Sequence, residues 1–261
     1  MPTLNNEQVI LERFRFQKCY HYTFNGRLLR CLHIKHILNS KFFNKLWVDS
    51  SGKRDKAPDF YSDRLKLSLE VMRIDDSVGE IDGKHVKSSF ERAGKLTKQY
   101  FDKKDLEEKN INLFIIPDTT NLKEFNLEGY KKNFKRVLFD HSDKIPQYKR
   151  NHPKCKKIIL FICDESDPYI EFQHKEDLFK KGSEPALYRP HVFFADNYFL
   201  NIIKSTAADY VVWYGMNKIL FSGGKLLPIP TTAIFDVKHM RKGIDYKHDF
   251  MKKVTDQHGY E

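Results

Sequence analysis

The chain has 261 residues, of which 40% are hydrophobic and 14% aromatic, enough apolar material for a large core and too much for a disordered polyelectrolyte, although 31% are charged. Lys and Arg total 46 against 35 Asp and Glu, a net charge of +11 scattered along the chain, which favours polyanions such as nucleic acid or an anionic membrane surface, the plainer alternative being a solvated lysine-rich surface. No run approaches the roughly 18 apolar residues of a membrane span, no basic-then-apolar leader is visible, and the scattered Cys19, Cys31, Cys155 and Cys163 argue against a disulfide framework; a cytoplasmic protein without membrane partners is expected.

Residues 5–16 read as a helix, with Asn5 and Gln8 at capping-box spacing and Val9, Ile10, Phe14 and Phe16 as its apolar side. The Asn25-Gly26 pair that follows predicts a two-residue hairpin turn. Two Cys-x-His pairs, Cys19/His21 and Cys31/His33, have the ligand chemistry of zinc, but such a hairpin would put them on opposite faces, so ordinary buried cysteines are expected. Leu38, Phe42, Phe43 and Leu46 resume a helical spacing.

Short extended segments come next: LWVD, APDFYS and RLKLSLEVMRI. On the last, Lys66, Ser68, Glu70 and Met72 share one face, while Leu65, Leu67, Leu69 and Val71 share the other, which reads as core. A basic amphipathic helix is expected from about Lys84 to Phe101, then a buried strand INLFIIPD over 111–118. A helix near Leu127–Phe139 and a second buried strand, KKIILFICDES, complete the series. Past Pro168 the pattern reads as a basic helix and loop, a helix over FFADNYFLNIIKSTA, strands YVVWYG and KILFS, a proline-containing loop LLPIPTT, and a basic C-terminal stretch, KHMRKGIDYKHDFMKK, that reads as a solvated helix or as a contact to a phosphate backbone. The order predicts an α/β fold, a mixed central β-sheet flanked by helices.

Chemistry concentrates at Ala57–Asp76. Pro58-Asp59 is followed, after ten residues, by Glu70 in a strand; a carboxylate among apolar neighbours is costly to bury, and a divalent cation shared with Asp59 would compensate it. The plainer alternative is a Glu70 on a solvated face or paired with a lysine such as Lys87.

Pro58, Asp59 and Glu70, in a strand meander between helices, resemble the motif of the PD-(D/E)xK, or restriction-endonuclease-like, nuclease superfamily. The resemblance implies a restriction-endonuclease-like core over residues 1–167, with an N-terminal helix and hairpin, and a C-terminal α+β extension over 168–261 packed on it or continuous with it. It also implies Mg²⁺ or Mn²⁺ held by Asp59 and Glu70, hydrolysis of DNA phosphodiesters, and a setting in restriction, repair or phage-related defence. The family's lysine, two residues past the second acid, is here Met72, which neither donates a hydrogen bond nor carries charge. Lys87, near the start of the expected helix after the motif strand, could fold back over the sheet edge and is the preferred substitute; Lys66 lies about 13 Å along the strand from Glu70, and Arg73 points to the other face. Glu12 is a candidate accessory acid, and Lys84, Lys95 and Lys98 are candidate phosphate contacts. Gln99 is followed at once by Tyr100, so the Gln-xxx-Tyr pattern of one subgroup is missing.

Two other readings fit the same residues. One is a catalytically degenerate nucleic-acid-binding protein with a nuclease-like fold. The other is a phosphatase-like hydrolase using Asp118 and Asp164 at the ends of the two buried strands, although no glycine-rich phosphate loop accompanies them.

Overall fold

The computed structural model describes residues 6–16, 22–40, 45–50, 58–77, 80–81, 84–85, 126–179, 188–215, 221–222, 225–226 and 230–254. A seven-stranded mixed sheet organises them, in the order β1 (Tyr22–Asn25), β13 (Thr232–Asp236), β10 (Tyr210–Gly215), β7 (Lys157–Asp164), β4 (Leu67–Ile74), β3 (Phe60–Ser62) and β2 (Val48–Asp49). β2, β3 and β4 are an antiparallel meander; β4, β7 and β10 run parallel; β13 is antiparallel to β10 and parallel to β1. The expected α/β sheet flanked by helices is thus what the chain forms. Strands from both sides of residue 167 share it, so the C-terminal part completes the same sheet.

Side-chain alternation builds the two layers. Met72, Ile74, Ile158, Leu160, Ile162, Val211 and Trp213 face one side. There they meet α3 (Leu127–Ser142), α4 (Ile145–Asn151) and α5 (Asn197–Lys204) through Tyr130, Phe134, Leu138, Tyr148, Phe199 and Ile203. Leu67, Leu69, Val71, Ile159, Phe161 and Tyr214 face the other, against α1 (Asn6–Phe16) and α2 (Leu28–Asn39) through Ile10, Phe14, Ile34 and Leu38. Both faces of β4 are therefore buried, including the Ser68–Glu70–Met72 side. A strand flanked on both edges and covered on both faces reads as a parallel-sheet core strand.

Asn25-Gly26 does not make a hairpin. The chain turns from β1 straight into α2, whose buried Cys31, Ile34, Ile37 and Leu38 follow a helical period. Gly26 has φ +123°, and a Cβ there would lie 2.7 Å from the Asp236 Cβ, so both the dihedral and the close approach demand glycine. The Asn25 amide reaches instead to the Arg241 backbone. Cys31 is sealed in the core and His33 exposed, while Cys19 and His21 lie outside the described residues.

Other expectations shift as well. Lys66 sits at φ 56° in the turn before β4 rather than on the strand. Lys84–His85 is a short strand, β6, paired with β5 (Glu80–Ile81), not the start of a helix. The segment after Pro168 forms β8 (Tyr169–Phe172) between β9 (Tyr188–Pro190) and β14 (Met251–Lys253), and β11 (Phe221–Ser222) pairs with β12 (Lys225–Leu226). The basic stretch 237–250 is not a helix but a path with two 3₁₀ turns. The predicted helix beyond His85 and the strand 111–118 fall outside the described residues. Among the described residues no helix is long and apolar enough to cross a membrane.

Candidate metal centre at the β3–β4 edge

One step along the register from the Phe60–Leu69 pair, Asp59 stands opposite Glu70. The residues in between, 63–66, are the tight turn that folds β3 back on β4, which is why two acids eleven positions apart meet. Each is tied into the backbone of the other strand: the Asp59 N–H donates to Glu70 Oε2 at 3.2 Å, and the Val71 N–H donates to Asp59 Oδ2 at 2.8 Å. Pro58, with no N–H, ends the β3 ladder, and the Asp59 carboxylate takes over as acceptor for β4.

Two residues from the helical layer close over Glu70. His141, in the last turn of α3, places Nδ1 2.8 Å from Glu70 Oε1. Tyr148, on α4, is buried with its hydroxyl beside Glu70 but without a well-formed hydrogen bond; burial and the charges of Glu70 and Asp59 hold this phenol protonated. On the other side, the charges of Glu7 on α1 and Asp49 on β2 act on Asp59.

These surroundings raise the Asp59 carboxyl to about 7, chiefly through burial and then through the neighbouring Glu70 charge; only the Val71 N–H opposes the rise. A carboxyl whose folded pKa lies above its unfolded value binds more protons in the folded chain. Its contribution is complete below about pH 4 and is lost as pH rises through about 7. Relative to Asp59→Asn, whose amide oxygen still accepts from Val71, the metal-free parent is expected to lose on the order of 2 kcal/mol of stability between pH 4 and pH 8, after discounting for partial exposure. Urea midpoints of the two proteins across this range check the sign; a difference independent of pH would contradict it.

The structure brings Asp59 and Glu70 together and places those of the other predicted residues that it describes elsewhere. Glu12 lies beside Arg15, and Glu7 is the α1 acid that acts on Asp59. Arg73 pairs with Glu165 beyond the end of β7, away from Glu70. Lys87, Lys95, Lys98 and Asp118 lie outside the described residues, as does the side chain of Lys84. Asp164, the other half of the phosphatase-like reading, is fully buried: Oδ2 accepts from the Tyr130 hydroxyl at 2.5 Å and Trp213 Nε1 at 2.9 Å, and Oδ1 from the Ser166 N–H and hydroxyl. A carboxylate engaged by four donors in the core is a structural node, with no opening to a substrate.

His141 and Tyr148 were not singled out from the sequence, yet a signal existed. The buried stripe of α3 runs Tyr130, Phe134, Leu138 and continues through His141 to Ile145 and Tyr148. A histidine on an otherwise apolar helical stripe needs a polar partner from the facing sheet.

Comparison of the chain with protein-family models, with curated proteins and with solved structures returned no match.

Proposed function

We propose that the chain is a metal-dependent phosphodiesterase acting on nucleic acid, DNA in the first instance, with its centre at Asp59 and Glu70. The observation that carries this reading is the pairing of two carboxylates, half-buried Asp59 and buried Glu70, across β3–β4, with like charges crowded together and the His141 imidazole in contact with Glu70. Such an arrangement is costly by itself and is relieved by a shared divalent cation. The donor set is carboxylate oxygen, which suits Mg²⁺ or Mn²⁺. The ion, when bound, supplies Lewis-acid polarisation and a water nucleophile at neutral pH.

The chain's own residues account for the rest. Asp59 and Glu70 would hold the ion. Glu70 fixes the His141 ring through Nδ1 and leaves Nε2 to take or give a proton, the histidine–carboxylate logic of general base catalysis. Tyr148 stays protonated and keeps a hydroxyl at the site. His141 thereby supplies the hydrogen-bonding group that Met72, buried under α3, does not. The net charge of +11 supports a polyanionic substrate, and the buried free thiols of Cys31 and Cys155 support a cytoplasmic setting.

Purified chain with Mn²⁺ is expected to cut single- or double-stranded DNA or RNA, and chelator is expected to stop it. All four substrates left intact, together with unchanged metal affinity in the Asp59→Asn/Glu70→Gln double variant, would overturn the proposal. Salt-dependent binding of uncut nucleic acid in that experiment would favour the degenerate binding protein instead.

A further inference from the structure

Away from the β3–β4 edge, three side chains from separate segments converge on one point. His191 follows β9, Asp196 caps the N-terminus of α5, and His248 lies in the 3₁₀ turn before β14. Both imidazoles place Nε2 2.7 Å from the same atom, Asp196 Oδ2. Among the described residues these are the group of three whose ligand atoms all lie within 4.8 Å of one another. His191 and Asp196 are 1% exposed at the side chain and His248 14%, so the cluster is sealed except on the His248 side.

We propose that His191, Asp196 and His248 bind one divalent transition-metal ion of the zinc class, with the fourth coordination position left to water. Two nitrogens and one carboxylate oxygen favour Zn²⁺, Co²⁺ or Ni²⁺ over Mg²⁺ or Ca²⁺. Around a tetrahedral zinc the ligand atoms stand about 3.3 Å apart, so each Nε2 needs to withdraw from Oδ2 by about 0.6 Å, a side-chain adjustment.

The surroundings hold the ligands ready for this. The Tyr246 ring meets His191 edge-on, the Tyr198 ring meets His248 edge-on, and Phe199 packs against both imidazoles. The remaining oxygen of Asp196 is fixed by the Tyr198 N–H at 2.9 Å, which orients Oδ2 toward the histidines. The α5 dipole opposes a cation here, but the carboxylate stands between them and carries the larger charge.

The consequence is a cross-link. Residues 237–250 contain only two short 3₁₀ turns and are held to the body by contacts such as Asn197–Asp245, Gly243 N–H to Asn197, and Lys247 N–H to Glu171. An ion shared by His191, Asp196 and His248 ties this path to α5 and to the loop after β9, and binding to the folded chain alone adds stability.

The test uses the full chain stripped with chelator and titrated with Co²⁺. Visible ligand-field bands of four-coordinate Co²⁺ are expected at one equivalent and are displaced by Zn²⁺, and Zn²⁺ at about a hundredfold its Kd is expected to raise Tm by about 5 °C. His248→Gln keeps a hydrogen-bond donor for Asp196 but removes the imidazole; once its fold is confirmed by circular dichroism, it is expected to lose the bands and the Tm rise. The Asp59→Asn/Glu70→Gln variant is expected to keep both, which separates this ion from the one proposed at β3–β4. Absence of the bands in the parent, or their survival in His248→Gln, would overturn the site.

Discussion

Glu70→Gln is expected to lower the proposed Mn²⁺-dependent phosphodiester hydrolysis by at least about 10²-fold, the scale of losing one preorganised charged group at a reacting centre. Three things change at once at this position. The amide still accepts the Asp59 N–H, so the backbone tie between β3 and β4 survives. It no longer offers a second charged oxygen for a shared ion, and it no longer pairs with His141 as an anion. With the neighbouring charge gone, the Asp59 carboxyl falls back toward its ordinary range, because Glu70 is the second largest cause of its elevation after burial. The variant should therefore lose activity while also losing much of the fall in stability above pH 4, and Mn²⁺ should stabilise the parent more than the variant. Single-turnover cleavage rates and Mn²⁺-dependent melting shifts measure both effects. A purely structural Glu70 would leave the metal response unchanged.

The second large effect is thermodynamic. Asp164→Ala should destabilise the chain by about 3–5 kcal/mol, because the donors from Tyr130, Trp213 and Ser166 would be left without their acceptor in a dry core. Burial, followed by the charge of Asp164, already holds the Tyr130 phenol well above its usual range, so this hydroxyl is committed to donating. Asp164→Asn keeps one acceptor oxygen and should cost less. Asp140→Ala, which removes only an exposed pair with Arg136, should lie within about 0.5 kcal/mol of the parent. Urea unfolding of the three variants ranks them, and an Asp164→Ala that matched Asp140→Ala would remove the structural role assigned to this carboxylate.

Much of the sheet was legible because its central strands are continuous apolar runs: LSLEVMRI, KIILFICD and YVVWYG are what a doubly covered strand needs. The α3 helix announced itself by its stripe of Tyr130, Phe134 and Leu138. β1 and β13 were not legible. Tyr22–Asn25 is four residues long and Thr232–Asp236 is five, and neither reveals from its own residues that it pairs with the other. The Asn-Gly signal was real in requiring positive φ, but the residues after it carry a helical period, which decided the outcome.

At the candidate site, Asp59 and Glu70 were legible because a short turn brings them together. His141 was not, since it meets Glu70 from 71 residues downstream. The His191–Asp196–His248 cluster was equally hidden, because its members depend on how β8, β9 and β14 pair.

The placement of β1 bears on how the molecule comes into being. Tyr22 lies beside Thr232, so β1 finds its sheet partner about two hundred residues further along the chain. During synthesis β1 and the turn at Gly26 precede β13 by about two hundred residues, whereas β2, β3 and β4 are close enough in sequence to pair soon after each is made. The acidic pair at β3–β4 thus sits on strands joined by short-range contacts, whereas the β1 edge of the sheet is joined by a long-range one. Closure of so long a loop is a slow entropic step, during which the apolar face of α2 has no β13 to cover it.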